Sequence, residues 1–156
     1  IHLKAKIYGT AKISMETSLT MEENTTIGDF VLIACKKLVM ARGSQINAGT
    51  IITGRDTVFL GPDSVIGYHC TLLTSSDTPE GDKMNDASPE SARKVVTGMI
   101  EIEHDVFIGS HSLVMPGVSI RSKSVIGAFS YIGSNRKIPS GVIAWGQPAE
   151  FKRFRK

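Results

Sequence analysis

Aromatic residues make up only 6% of this 156-residue chain, and tryptophan occurs once. A broad core built on packed rings is therefore excluded. The interior must be narrow and filled by aliphatic and small side chains. Cysteine occurs twice, at Cys35 and Cys70. Two cysteines make no disulfide framework; both fall at inward or near-inward phases of the apolar pattern and read as small fillers. That usage suits a reducing, cytoplasmic setting. No apolar run approaches the ~20 residues that cross a membrane. No secretory signal pattern opens the chain. It starts on Ile1 rather than methionine, so the expectation is of residues missing upstream or of one domain of a longer protein. Histidine is also sparse: there are four, with none between His69 and His104.

Positive charge is lacking from the body of the chain. The net charge is +3, but Lys152, Arg153, Arg155 and Lys156 sit in the last five residues. Without those four, 14 basic residues face 15 acidic ones. A nearly neutral body offers no case for nucleic-acid binding. The tail reads either as a solvated end or as a phosphate-binding patch for an anionic cofactor.

What is present is a beat of six. Ile102, Ile108, Val114, Ile120, Ile126, Ile132 and Ile138 form an unbroken series. Four places after such a residue stands a small or branched one: Val106, Ser112, Val118, Ser124, Ser130. Glycine often follows directly, as at Gly109, Gly127 and Gly133. Period six fits neither a helix nor a two-faced strand. It fits the hexapeptide β-helix, a coil of short strands and turns with one inward residue per side. Upstream the beat continues through Ile7, Ile13 and Leu19, then Ile27, Ile33 and Val39, then Ile46 and Ile52, then Leu60, Ile66 and Leu72. Small residues follow here too, at Ser64, Cys70 and Ser76. The slips between runs read as corner bulges or longer turns. From about Asp77 to Met99 the period is lost among Asp, Pro, Glu, Gly, Lys and Ser. That segment reads as a long extruded loop with a function. The expected organisation is a single solenoid over 1–140 carrying the 77–99 loop, then a capping segment and basic tail over 141–156.

The runs Ile108-Gly109-Ser110-His111, Val114-Met115-Pro116-Gly117-Val118-Ser119-Ile120 and Val125-Ile126-Gly127-Ala128 resemble the hexapeptide-repeat acyltransferases. So does the closing block Trp145-Gly146-Gln147-Pro148-Ala149 with Arg153. The nearest branch is that of the galactoside, maltose and xenobiotic O-acetyltransferases and their sugar-modifying relatives. The resemblance implies an all-β, left-handed parallel β-helix with three sides per turn. It implies homotrimers with sites between subunits, acetyl-coenzyme A as donor, and a sugar-like hydroxyl or amine as acceptor. Carried over residue by residue, Gly109 and Ser110 lie where relatives bind coenzyme A. Ala128 lies along the pantetheine arm, and Arg153 near the phosphates. Asn47 and Asp56 fall where acceptor hydroxyls are held. Apart from the resemblance, Arg93 and Lys94 on the descending limb of the loop read either as holders of an anionic acceptor or as solvated loop charges. Backbone N–H groups near Gly109 and Ser110 would steady the oxyanion.

The departure from that family is at the base. Where relatives carry a histidine followed by proline, this chain reads Ser75-Ser76-Asp77-Thr78-Pro79. A free aspartate titrates near about 3.9 and histidine near about 6.5, a handicap of roughly 3.5 kcal/mol in proton affinity. Burial under the loop would raise Asp77 and recover part of it. His111, directly after Ser110, is the substitute base. His69 is a second, expected to line the same cleft as Asp77. An amine acceptor would need less help than a hydroxyl. Two other readings stay open. One is a non-catalytic solenoid with a degenerate site. The other is a γ-carbonic-anhydrase-like zinc enzyme using His69, His104 and His111, although their spacing departs from that pattern and no metal ligands are assigned.

Overall fold

An apolar residue pointing in, with polar or small neighbours pointing out, makes a strand only two residues long before the chain turns. Phe107–Ile108, Leu113–Val114, Ser119–Ile120, Val125–Ile126, Tyr131–Ile132 and Lys137–Ile138 are such strands. Strands three sides apart pair in parallel, with Ile108 opposite Ile126, Val114 opposite Ile132 and Ile120 opposite Ile138. The computed structural model, which describes residues 1–156, is therefore a parallel β-solenoid with three faces. The first face carries Thr26–Ile27, Gln45–Ile46, Val65–Ile66, Phe107–Ile108 and Val125–Ile126. The second carries Lys12–Ile13, Thr71–Leu73, Leu113–Val114 and Tyr131–Ile132; the third carries Ser18–Met21, Ile100–Ile102, Ser119–Ile120 and Lys137–Ile138.

Inward residues stack coil upon coil. Ile27, Ile46, Ile66, Ile108 and Ile126 form one fully buried column. Each such side chain contributes about 1.5–3 kcal/mol of apolar burial. The small residues fill the corners, where a large one would not fit: Ser64, Cys70, Val106, Ser112, Val118, Ser124 and Ser130 are all buried. A buried hydroxyl without a partner costs about 1–3 kcal/mol. Here the hydroxyls reach corner carbonyls, Ser112 donating to Gly127 at 3.2 Å and Ser124 to Pro139 at 2.6 Å.

Three expectations need correction. Val39 is not on the inward beat: Leu38 and Met40 are fully buried and Val39 is not. The cause is that Leu32–Met40 and Ile51–Leu60 run unbroken across the second and third faces. A register shift between Cys35 and Lys37 and a left-handed Gly54 (φ +119°) make the corner without a turn. Ser76 likewise yields the inward corner to Thr74, which is fully buried. The 77–99 segment is not structureless. Ser75–Asp77 pairs antiparallel with Val95–Thr97, and Glu90–Ala92 forms a short 3-10 turn. The loop is thus a hairpin with a two-stranded stem rooted at the second–third corner.

At the far end, Val142–Gly146 completes the first face, and the chain turns through Gln147–Pro148. Ala149–Phe154 then folds back antiparallel, with Arg153 opposite Ile143. The edge of the last coil's first face is thereby paired. No helix is long and apolar enough to cross a membrane.

Candidate functional site

The corner between the first and second faces is built from a repeated turn. Phe30, His69, His111 and Phe129 occupy matching positions in it, all with left-handed backbone (φ 53–60°). That conformation is costly for residues with a Cβ. Successive coils lie roughly 4.8 Å apart, so rings at one position must meet. The His69 and His111 rings stack at 5.3 Å, and His111 and Phe129 at 4.9 Å with only 4° between their planes. Gly49 holds the same turn one coil below His69; a Cβ there would lie 2.2 Å from His69 Nδ1. Its lack of a side chain is what lets the His69 ring settle.

Beside this stack runs a line of glycines. A Cβ on Gly67 would come 2.7 Å from Ser110 N, and one on Gly109 would come 2.4 Å from Ala128 N. Side chains there would push the coils apart. Gly109, Ser110 and Ala128 thus come together in adjoining coils. The Ser110 hydroxyl accepts from the Tyr68 amide at 3.1 Å. The Cys70 thiol donates to the Gly109 carbonyl at 3.3 Å, and burial pushes that thiol up, away from thiolate chemistry. Gly109 N–H is spent on the Ile126 carbonyl at 2.7 Å, so it is not an oxyanion donor as expected. The amides of Ser110 and Ala128 find no acceptor within the chain. On the second-face side lies a pocket of about 450 Å³ lined by His111, Leu113, Ser130, Tyr131, Gln147 and Pro148. Arg153 sits exposed on the last strand, opposite Ile143, two positions along from Trp145. Asn47 is at this same corner, lower in the stack, whereas Asp56 is at the second–third corner with its carboxylate accepting from Thr57 N at 2.7 Å. The two expected acceptor ligands are not brought together within one chain.

At the root of the hairpin, Arg93 forms a two-pronged pair with Asp77, Nε to Oδ1 at 2.8 Å and Nη2 to Oδ2 at 2.7 Å. Arg93 also meets Asp86 at 2.7 Å, while Arg55 pairs with Glu90 and lies 3.9 Å from Asp86. Asp77, Arg93, Asp86 and Arg55 border a pocket of about 350 Å³ with Thr53, Gly54 and Ser75. The hydrogen bonds from Arg93 hold the Asp77 carboxyl below the usual range, and partial burial opposes this but does not win. The expected rise is reversed: Asp77 is ionised at neutral pH. Arg93 is correspondingly occupied by two carboxylates and is not free to grip an anionic acceptor. His69 does not share a cleft with Asp77 either. They stand at opposite edges of the second face, separated by Thr71–Leu73. His104 is at the third–first corner beside Asp105, at 2.8 Å, away from His69 and His111. The three histidines do not meet within one chain, and no group of three metal-binding side chains forms there.

Sequence reading missed Phe129, Tyr131, Gln147, Arg55 and Asp86. For Phe129 the signal was available: it stands 18 residues, one coil, after His111.

The hexapeptide-repeat profile of succinyl-transferases matches residues 99–134. The chain is 29% identical over 118 residues to the galactoside O-acetyltransferase of Lactococcus lactis subsp. lactis, covering 76% of this chain and 53% of that protein. It is 26% identical over 151 residues to the galactoside O-acetyltransferase of Escherichia coli, covering 92% and 70%. It therefore spans about half the length of the lactococcal relative. Among solved structures, a mutant of AntD, an N-acyltransferase from Bacillus cereus in complex with dTDP and coenzyme A, superposes with a TM-score of 0.84 at 25% identity. That match covers 97% of this chain and 82% of AntD. Repeat, coil geometry and relatives agree: the chain is a hexapeptide-repeat β-solenoid similar to acetyl- and acyltransferases built on that repeat.

Proposed function

We propose that this protein transfers an acyl group from coenzyme A to an amine on a sugar or sugar-nucleotide acceptor. The observation that carries the reading is the Gly67–Gly109–Gly127 corner, with two unclaimed amides at Ser110 and Ala128. A slender arm with its own carbonyls would fit there, because glycine lets a ligand approach the backbone. The relatives act as acetyl- and acyltransferases, and AntD was crystallised with coenzyme A.

The ionised Asp77 favours an amine over a hydroxyl. A carboxylate held low by Arg93 is a poor base for a hydroxyl, but it hydrogen-bonds and orients an N–H well. The neutral amine nitrogen attacks the thioester carbonyl carbon, the N–C bond forms, and the C–S bond breaks. The Ser110 amide would steady the oxyanion in between. The proton shed by nitrogen ends on the departing thiolate. A free thiol titrates near about 8.5, so sulfur outcompetes Asp77 for that proton. Ser110 and Asp77 lie at opposite edges of the second face. A site using both takes Asp77 from a neighbouring copy, so this reading requires the homotrimer. The two unpaired cysteines suit a cytoplasmic setting.

A second reading, transfer to a hydroxyl with His111 as base, draws on the position of that ring beside Ser110. Thiol release from acetyl-coenzyme A separates the two. The expected result is turnover with amino sugars or their nucleotides at least ~100-fold faster than with the matching hydroxy compounds. The reverse preference favours His111. Coenzyme A binding with no turnover of any acceptor indicates a non-catalytic module, and no binding at millimolar concentration ends the proposal.

A further inference from the structure

We infer that the acceptor is nucleotide-linked, and that a groove along the second–third corner holds its diphosphate between Lys36 and Arg55. This rests on the acyl-transfer reading above and adds the class of acceptor. The pocket bordered by Asp77 and Arg93 continues toward the N-terminal coils. There it meets a second cavity of about 310 Å³, which Ser14, Glu16, Cys35 and Lys36 help to line. The two share Ala34, Gly54 and Arg55. Joined, they reach the size of a small-molecule site. Their common floor is small: Ala34 is exposed where they meet, and Gly54 brings no side chain.

Coil pitch sets the spacing. Lys36, Arg55 and the root of the hairpin stand on one corner in three successive coils. Lys36 therefore lies roughly 10 Å below the Asp77 level. An amino group held at Asp77 leaves a hexose ring and a diphosphate to fill that distance. Charge decides what enters. Lys36 is exposed and takes part in none of the chain's ion pairs. The Arg55 side chain is 43% exposed and its partners Glu90 and Asp86 are more so, and exposed pairs of this kind are weak enough to open to a diphosphate. Lysine and arginine are the usual partners of phosphate oxygens. Arg93, 5% exposed and gripped from two sides, stays with Asp77. The one carboxylate of the lower cavity, Glu16, stands in the coil below Lys36, past the phosphates. There it would accept from a hydroxyl of the nucleoside sugar.

The test compares kcat/KM for one amino sugar presented free, as its 1-phosphate, and linked to uridine or thymidine diphosphate, with acetyl-coenzyme A as donor. Calorimetry measures binding of the two nucleoside diphosphates alone. Two charge-assisted contacts at about tenfold each give the linked acceptor a lead of roughly 100-fold over the free sugar. Lys36→Ala should cut that lead about tenfold and weaken nucleoside diphosphate binding to match. Ala34→Trp fills the join of the two cavities and should remove most of the lead. Ala34 is exposed, so the fold has room for the ring. Lys37→Ala, next along the strand on the third face and outside the groove, removes the same charge and should leave the lead as it is. Equal kcat/KM for free and linked sugar, a 1-phosphate as good as the linked form, or a lead untouched by Lys36→Ala overturns this inference alone. No thiol release with any acceptor overturns the acyl-transfer reading. Nucleoside diphosphate binding that depends on Lys36 would then uphold the nucleotide site, and its absence would end both.

Discussion

On the proposed amine transfer, Asp77→Ala is expected to lower kcat/KM for the acceptor by about 100-fold, near the upper end of the ~1.5–3 kcal/mol carried by a hydrogen bond to a charged group. Asp86→Ala, which removes only the exposed second partner of Arg93, changes it by less than about threefold, in keeping with the small worth of exposed pairs. The contrast matters because both carboxylates touch the same guanidinium. Only Asp77 lies in the stem, on the strand that leaves the solenoid. Its charge state gives a further readout. Arg93 keeps Asp77 ionised from pH 6 to 9, so it contributes no titration in that window. The rate should rise with pH as the acceptor amine loses its proton. Asp77→Asn should depress the profile at every pH and leave its limb in place. A limb that moves on that substitution would mean Asp77 acts as a general base, against the orienting role argued here.

The largest stability effect is expected in the middle of the first-face column. Ile108→Ala should cost about 2–5 kcal/mol, the range for emptying a well-packed aliphatic site. Ile108 is fully buried with Ile66 below and Ile126 above, so no neighbour can move in without opening a coil. For a domain of this size that is a fall in melting temperature of very roughly 5–15 °C. Ile7→Ala is the same chemical change in the terminal coil. Ile7 is 37% exposed and has a partner strand on one side only, so it should cost under about 1 kcal/mol. Thermal unfolding of the two variants side by side checks this. Equal losses would mean that stacked columns do not carry the stability.

The solenoid was legible because its core speaks once per side: an aliphatic residue for seven sides without a break, followed four places on by a small or branched one at the first five. Val39 was misread because the slip there is not a turn but two faces fused into one strand, which the six-residue beat cannot reveal. The hairpin stem was hidden because Ser75-Ser76-Asp77 carries no alternation, and Val95-Val96 alone suggests no partner. Asp77 and Arg93 are sixteen residues apart across that hairpin, so their pairing, and the ionised state it imposes, required the folded geometry. The ring stack was missed for another reason. A left-handed corner position suggests glycine, asparagine, aspartate or histidine, and Phe30 and Phe129 break that expectation. The adjacency of the stacked rings is set by coil pitch, not by nearness along the chain. The corner glycines were read as room for a coenzyme arm beside the backbone; the folded geometry shows that they let neighbouring coils approach closely.

The most direct measurement is a crystal structure of the protein with coenzyme A bound. The pantetheine arm should lie along the Gly67–Gly109–Gly127 corner, accepting a hydrogen bond at ~3 Å from the Ala128 amide, with sulfur next to His111 and the Ser110 amide facing the place of the thioester carbonyl. Coenzyme A bound on the third face, or a corner left empty at millimolar concentration, would contradict it.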